Sequence, residues 1–232
     1  MIRYVYDFLA AVQGAVVLAV IVLLLLGPLR RFWVVFAHAF WAFVGTVGLT
    51  VFDILRSASH VALYAHAYWI NEVVLDLLLF LVVIVLTHTA APEGELRQKI
   101  DRLLLLVAAA MIALPFLAFH PRFHPWPTAQ WFNSTGEILN FGAAIMNLAL
   151  WGALIATRRD PQLLKVSAGL GIRLTGTALS YGVRHFIPLG TSNLLPNLFL
   201  MLTQLAGWSI LCWAFWPAAK ARHPVESVAA SP

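Results

Sequence analysis

The sequence predicts an all-α protein, a polytopic transmembrane bundle of seven helices with its N-terminus outside and its C-terminus in the cytoplasm. Of its 232 residues, 61% are hydrophobic and only 11% are charged, which is too apolar for a core with a wetted surface. Seven apolar stretches have the length of about 20 residues that a helix needs to cross a bilayer. We predict helices at 8–28, 32–53, 68–90, 101–119, 133–157, 162–187 and 196–216.

The first two predicted helices are almost wholly apolar. The first ends at Gly27-Pro28, which is not the small-residue cleavage site of a signal peptide, so we expect this helix to be retained and to face lipid. The second contains His38, which we predict to be hydrogen-bonded in the core. Its depth does not match that of His88 closely enough for the two histidines to hold a haem.

The third and fifth predicted helices carry polar residues on one face. The third opens with the aromatic pair Tyr68-Trp69, of the kind found at membrane interfaces. Glu72 and Asp76 follow, and they share a face because they are four residues apart. In the fifth helix one stripe recurs at spacings of three and four. That stripe consists of Glu137, Asn140, Ala144, Asn147 and Trp151.

The remaining predicted helices divide into one that is apolar and two that are not. The fourth has no polar side chain from Leu103 to Phe119, and we expect it to face lipid. The sixth is rich in small residues, which permit close helix approach and place it at the centre of the bundle. The polar residues of the sixth and seventh helices are Arg173, Thr177, Ser180, Arg184, His185 and Gln204.

Basic residues lie mainly in alternate loops, ten on one side against three on the other. Cytoplasmic loops are enriched in Lys and Arg, so the N-terminus is expected outside. Residues 1–217 then form the transmembrane domain, and 218–232 form a short, disordered cytoplasmic tail. The same charge explains the pI of 9.8 without a nucleic-acid partner. The ten basic residues are Arg30, Arg31, Arg97, Lys99, Arg102, Arg158, Arg159, Lys165, Lys220 and Arg222.

The polar stripes together predict a pocket. An ionisable group in hydrocarbon is costly unless it is paired or hydrated, so these groups should face one another or a cavity. We predict that helices 3, 5, 6 and 7 enclose a pocket open to the outside, where arginines receive a small polar or anionic ligand and acids act as counter-ions. The alternative is that the charges pair only to fix helix register. The predicted ligand-binding residues are Glu72, Asp76, Glu137, Asn140, Arg173, Arg184 and Gln204.

No motif of a soluble-type active site is present in the sequence. It has no Ser/His/Asp order, zinc-protease motif, Walker loop or dinucleotide fingerprint, so we assign no catalytic residue and no cofactor. His120 and His124 lie in the loop between helices 4 and 5, but neighbouring prolines prevent the helical spacing that pairs histidine ligands. Cys212 is the single cysteine, and no metal site is predicted.

The Tyr68-Trp69-x-x-Glu72 opening of the third helix precedes a long apolar run. This pattern resembles uncharacterised bacterial seven-helix membrane proteins and, more loosely, the seven-helix membrane sensor modules of histidine kinases. The resemblance covers the whole chain in helix count and a few residues in detail. It implies a multi-pass protein of the plasma membrane, the inner membrane of a bacterium, with a role in sensing, and it transfers no catalytic residue.

The sequence therefore favours a small-ligand sensor or binding module that acts with a separately encoded signalling partner. The first alternative is a small-solute or proton-coupled transporter in which Asp76 or Glu137 titrates as the site alternates between the two faces of the membrane. A structural subunit of a membrane complex is the second alternative. The lipid bilayer is the partner that the composition itself predicts.

Overall fold

The computed structural model of the protein is all-helical within the residues that it describes, which are 2–55, 61–91, 94–118, 129–157, 160–186 and 194–222. Five of the helices, α1, α2, α3, α5 and α7, are long and apolar enough to cross a membrane, as in an integral membrane protein. The predicted all-α class is confirmed. The helices are α1 (Ile2–Leu26), α2 (Trp33–Leu55), α3 (Val61–Ala90), α4 (Glu95–Ala118), α5 (Ala129–Thr157), α6 (Pro161–Phe186) and α7 (Leu194–Arg222).

Several helices extend beyond their apolar segments. For example, α3 begins at Val61 and not at 68, α4 begins at Glu95 and not at 101, and α7 ends at Arg222 and not at 216. A hydropathy pattern marks only the apolar part of a helix, whereas residues such as Glu, Lys and Arg continue it well. The predicted tail 218–232 therefore begins inside α7, and residues 223–232 lie outside the described part of the chain.

Six helices close into a ring, and α4 lies outside it. In the ring order α1, α2, α3, α5, α6 and α7, each helix packs against the next, and α7 packs against α1. α4 packs on α3 and α5, and Leu104 is its one buried residue among those described, as expected for a peripheral helix. α1 is less peripheral than predicted, because Val17, Val20 and Leu24 are buried in the core.

Contacts along α2, α3 and α5 show the directions of these helices. The rings of Phe52 and Tyr64 stack with centroids 5.9 Å apart, and Gly45 of α2 lies against Asn71 of α3. Residue numbers therefore rise along α3 as they fall along α2, so the two helices are antiparallel. In contrast, α3 and α5 are parallel, because Trp69 stacks on Phe132 at 6.3 Å and the hydrogen-bonded pair Asp76 and Asn140 lies further along both helices.

The α6–α7 contact is the closest helix approach described in the ring. A Cβ atom on Gly169 would lie 3.0 Å from the Gly207 carbonyl oxygen, and the Ser180 hydroxyl donates to the Pro196 carbonyl at 2.9 Å. These pairs make α6 and α7 antiparallel. Small residues allow this approach, which fits the predicted central position of the sixth helix.

Asp160 joins two parts of the bundle at one end. Its Oδ1 atom accepts hydrogen bonds from the backbone N–H groups of Gln162 at 3.1 Å and Leu163 at 3.0 Å, which is N-cap geometry. Its Oδ2 atom forms an ion pair with Arg31, which lies between α1 and α2. A single carboxylate therefore starts α6 and ties it to the first helical hairpin.

We expect Asp160→Ala to destabilise the protein more than Asp160→Asn. Alanine removes both the cap and the ion pair, and loss of a cap costs about 1 kcal/mol. Asparagine retains a capping oxygen and loses only the ion pair, which contributes little because Arg31 is 44% exposed. Thermal unfolding in detergent measures the difference. Equal losses for the two variants would show that the ion pair, and not the cap, stabilises this end.

Candidate functional site

Polar side chains from five helices meet inside the ring. We call the set formed by His38, Asp76, Asn140, Arg173, Thr177 and Gln204 the polar layer. All are buried except Gln204, which is half-buried. Asp76 and Arg173 lie near the middle of α3 and α6, so the layer lies at intermediate depth in the bundle.

Arg173 is held by neutral partners. Its Nε atom donates to Gln204 Oε1 at 2.7 Å, and its Nη1 atom donates to His38 Nε2 at 3.0 Å. Its Cζ atom lies 3.9 Å from the centre of the Trp208 ring, a distance suited to a cation–π interaction. The His38 ring stacks on the same tryptophan at 5.7 Å. The guanidinium therefore links α2, α6 and α7.

A short chain of hydrogen bonds completes the surroundings of Arg173. Gln204 Nε2 donates to the Thr177 hydroxyl at 2.8 Å, and that hydroxyl donates to the Arg173 carbonyl at 2.9 Å. No nitrogen of Arg173 is among the buried polar atoms that lack a partner. Arg173, Thr177 and Gln204 thus form a hydrogen-bonded cluster between α6 and α7.

The second half of the layer is an acid–amide pair. Asn140 Nδ2 donates to Asp76 Oδ1 at 2.8 Å and also to the Gly136 carbonyl at 2.8 Å. The other oxygens of the pair, Asp76 Oδ2 and Asn140 Oδ1, are buried and have no hydrogen-bond partner among the described residues. Both are acceptors without a donor.

His38 contributes a third buried atom without a partner in the described part of the chain. An arginine can only donate, so His38 Nε2 must accept and Nδ1 must carry the hydrogen in the neutral ring. Nδ1 is buried and has no acceptor. The α2–α3 contacts place His38 opposite Leu78, so it lies within one helical turn of Asp76 in depth.

The predicted acids occupy the approach to the layer. Glu72 precedes Asp76 by one turn of α3 and is half-buried, and Glu137 precedes Asn140 by about one turn of α5 and is also half-buried. The predicted contact between Asp76 and Arg173 is not a direct ion pair, although the two groups attract each other through space. The Arg184 side chain and the neighbouring His185 side chain lie outside the described residues.

Two members of the site differ from the prediction. His38 is hydrogen-bonded in the core as expected, but it also belongs to the polar layer. Trp208 was not predicted, although it follows Gln204 by four residues and so shares its face. Asn147 of the predicted stripe forms a separate pair with Ser167, with bonds of 2.9 and 3.0 Å, and all of its side-chain needs are met there.

A groove of about 620 Å³ lies between α5 and α7 along the outer side of α6. Its lining is mainly apolar, and its flanking residues Ile145 and Leu148 are exposed on the outside of the ring. This groove lies on the outer surface of the ring and is distinct from the predicted polar pocket. The polar layer itself is enclosed by the ring.

No known protein family, curated protein or solved structure matches this chain. Among the described residues, no three His, Cys, Asp or Glu side chains are grouped so that they could hold a metal ion. The residues His120 and His124 lie outside the described ranges. The polar layer offers hydrogen-bond donors and acceptors from its buried side chains.

We expect Gly207→Ala to destabilise the bundle strongly. A Cβ atom at this position would overlap Arg173 Cγ and lie 2.6 Å from the Gly169 carbonyl oxygen, so α7 would have to move from α6. Gly152→Ala is the matched control, because nothing lies within 4 Å of its added methyl group. The control should be neutral or gain up to about 1 kcal/mol from helix propensity. Thermal unfolding compares them, and similar behaviour would contradict the close α6–α7 contact.

Proposed function

We propose that the protein crosses the plasma membrane seven times and binds a small polar ligand in its polar layer, as a sensor or binding module. The N-terminus is outside and the C-terminus is cytoplasmic. Two polar pairs support this orientation, the ion pair of Arg31 with Asp160 and the hydrogen bond of His88 with Asp101. The antiparallel order of neighbouring helices puts both pairs at the same end of the bundle, where the sequence also concentrates its basic loops.

Two helices, α4 and α6, are not apolar enough in composition to be recognised as membrane spans, but their surroundings support a membrane-spanning position. α6 is packed between α5 and α7, and its polar residues Ser167, Arg173, Thr177 and Ser180 are buried. α4 is charged only in its first two turns, and beyond them Leu103, Leu106 and Leu117 are exposed as lipid-facing residues would be. Both helices lie alongside others that are long and apolar enough to cross a membrane.

The observation that carries the proposal is a contrast within the polar layer. The side-chain atoms of Gln204 and Thr177 beside Arg173 take part in hydrogen bonds, whereas His38 Nδ1, Asp76 Oδ2 and Asn140 Oδ1 are buried without partners among the described residues. An unsatisfied buried polar atom costs about 1–3 kcal/mol. Charges kept only to fix helix register would be expected to satisfy one another, so three such atoms favour a binding role.

These atoms define the chemistry of the ligand. Asp76 Oδ2 and Asn140 Oδ1 accept hydrogen bonds, and His38 Nδ1 donates one. A small molecule with N–H or O–H donors and one acceptor is complementary to them. The atoms without partners are two acceptors and one donor, so a neutral polar ligand fits them better than the anion that the sequence alone favoured.

The acids indicate an access path. Glu72 and Glu137 lie one turn before Asp76 and Asn140 on two parallel helices, on the side that the proposed orientation makes extracellular. A polar solute entering from outside would meet them before it reaches the layer. A separately encoded partner would then receive the signal, because binding must favour one helix arrangement over another.

A small-solute or proton-coupled transporter is the second candidate, and one observation favours it. Asp76 is a carboxyl group near the middle of α3 that has no direct ion pair in the described residues. Ionisable groups at such a depth commonly mark proton relays and substrate paths. A transporter would move solute across proteoliposomes, whereas a sensor would bind it without flux.

The test is a thermal-shift screen of the purified protein against polyols, amides, amino acids and carboxylates. We expect a compound with several donors to stabilise the wild type, by about 2.7 kcal/mol at a hundredfold excess over its Kd. Asp76→Asn should lose this stabilisation, because the acceptor Oδ2 becomes either a donor or an amide oxygen with a changed hydrogen-bond pattern. Counterflow with the same compound separates transport from sensing.

Asp7→Asn is the matched control, since Asp7 is exposed near the start of α1 and far along the helix from the polar layer. It should respond to the compound as the wild type does. If every stabilising compound acts equally on the wild type, Asp76→Asn and Asp7→Asn, the polar layer is not the ligand site.

A further inference from the structure

The Asp76–Asn140 pair lacks one donor hydrogen for its two remaining acceptor oxygens. Both N–H bonds of the Asn140 amide are used, one on Asp76 Oδ1 and one on the Gly136 carbonyl. The Gly136 carbonyl fixes this orientation, because a rotated amide would direct its oxygen at another acceptor. Asn140 Oδ1 and Asp76 Oδ2 are left as two buried acceptors, one from each member of the pair.

We infer that Asp76 is protonated in the folded protein and that the Asp76–Asn140 pair is a proton-binding site. A proton taken from water forms an O–H bond at Asp76 Oδ2, which then donates to Asn140 Oδ1. Together with the existing bond from Asn140 Nδ2 to Asp76 Oδ1, this produces the two-bond pairing of a carboxylic acid with a primary amide. One proton removes both unpartnered oxygens and one buried charge.

The charged and titratable groups around Asp76 do not reverse this conclusion. Arg173 on α6 attracts a charged Asp76, but not through a direct ion pair, and Glu72 one turn away on α3 repels it. His38 on α2 has its Nε2 atom engaged by Arg173, and Glu137 on α5 lies about one turn before Asn140. The remaining influence is the loss of hydration on burial, which favours the neutral acid.

The fourth helix adds no group at this depth. The charged residues of α4 that contact α3 are Arg97 and Asp101, and both bond to His88, about three turns along α3 from Asp76. A hard cation is a poorer occupant than a proton, because the pair offers it two unpartnered oxygens among the described residues, fewer than the six or more ligands that Ca²⁺ and Mg²⁺ take.

The inference rests on the proposed function for its consequence, which is that proton release accompanies ligand binding. A ligand that donates to Asp76 Oδ2 would compete with the proton for the same oxygen. The ligand and the proton would then share one site, which couples binding to pH. In a transporter the same exchange would couple solute movement to a proton gradient.

Infrared difference spectroscopy of the ligand-free protein in H₂O and D₂O tests the proton directly. We expect the carbonyl stretching band of a protonated carboxyl group at neutral pH, shifted to lower frequency in D₂O and absent in Asp76→Asn. Glu72→Gln and Glu137→Gln should keep the band. Asn140→Leu should shift it upward, because the carboxyl group loses the hydrogen bond from Asn140 Nδ2.

Absence of the band in the wild type, or its survival in Asp76→Asn, overturns the inference. Exchange of sodium for choline is a second arm. A sodium-dependent rise in the Tm of the wild type that Asn140→Leu lacks would assign the site to a cation instead. The two proposals fail separately. If the carboxyl band is present but no compound stabilises the protein, only the ligand site is contradicted. If a compound stabilises the wild type and not Asp76→Asn, but the carboxyl band is absent, only the proton site is contradicted.

Discussion

The burial of one guanidinium group determines how α2, α6 and α7 pack. Arg173 cannot lose its charge. Inside an apolar bundle its N–H donors therefore need acceptors, and its planar group needs an aromatic face to lie against. His38, Gln204 and Trp208 supply these from two helices. The approach requires a glycine at position 207, where a side chain would overlap the arginine stem. The composition of α6, polar but tightly packed, follows from this requirement.

The acid–amide pair beside this cluster follows a different principle. Its geometry leaves two oxygens without donors, and the neighbouring His38 has a donor without an acceptor. Removing a polar group from water without replacing its hydrogen bonds is unfavourable, and more so at low dielectric. A cluster that only stabilised the bundle would be expected to satisfy its buried polar atoms, as Gln204 and Thr177 do beside Arg173. A proton or a ligand that binds at the acid–amide pair and His38 would therefore change the free energy of unfolding most.

The sequence predicted the seven helices and the faces that carry their polar residues, because apolar length and spacings of three and four are local properties. It did not predict partners, because spacing along one helix says nothing about which helix lies opposite. Acids were expected beside Arg173, and the ring instead presents neutral groups on α2 and α7. Asn147 shares a stripe with Asn140, yet it meets Ser167 in a separate pair. Trp208 was missed because apolar and aromatic residues dominate its helix.

The central claim is that the two halves of the polar layer differ, one stabilising the bundle and the other kept for binding. Thermal unfolding of Arg173→Gln and Asp76→Asn in the same detergent, without ligand, tests it most directly. We expect the Tm of Arg173→Gln to lie well below that of the wild type, because His38 Nε2 and the face of the Trp208 ring lose their partner. We expect the Tm of Asp76→Asn to lie at or above that of the wild type. A similar large loss in both variants would show a single register-fixing network and contradict the claim.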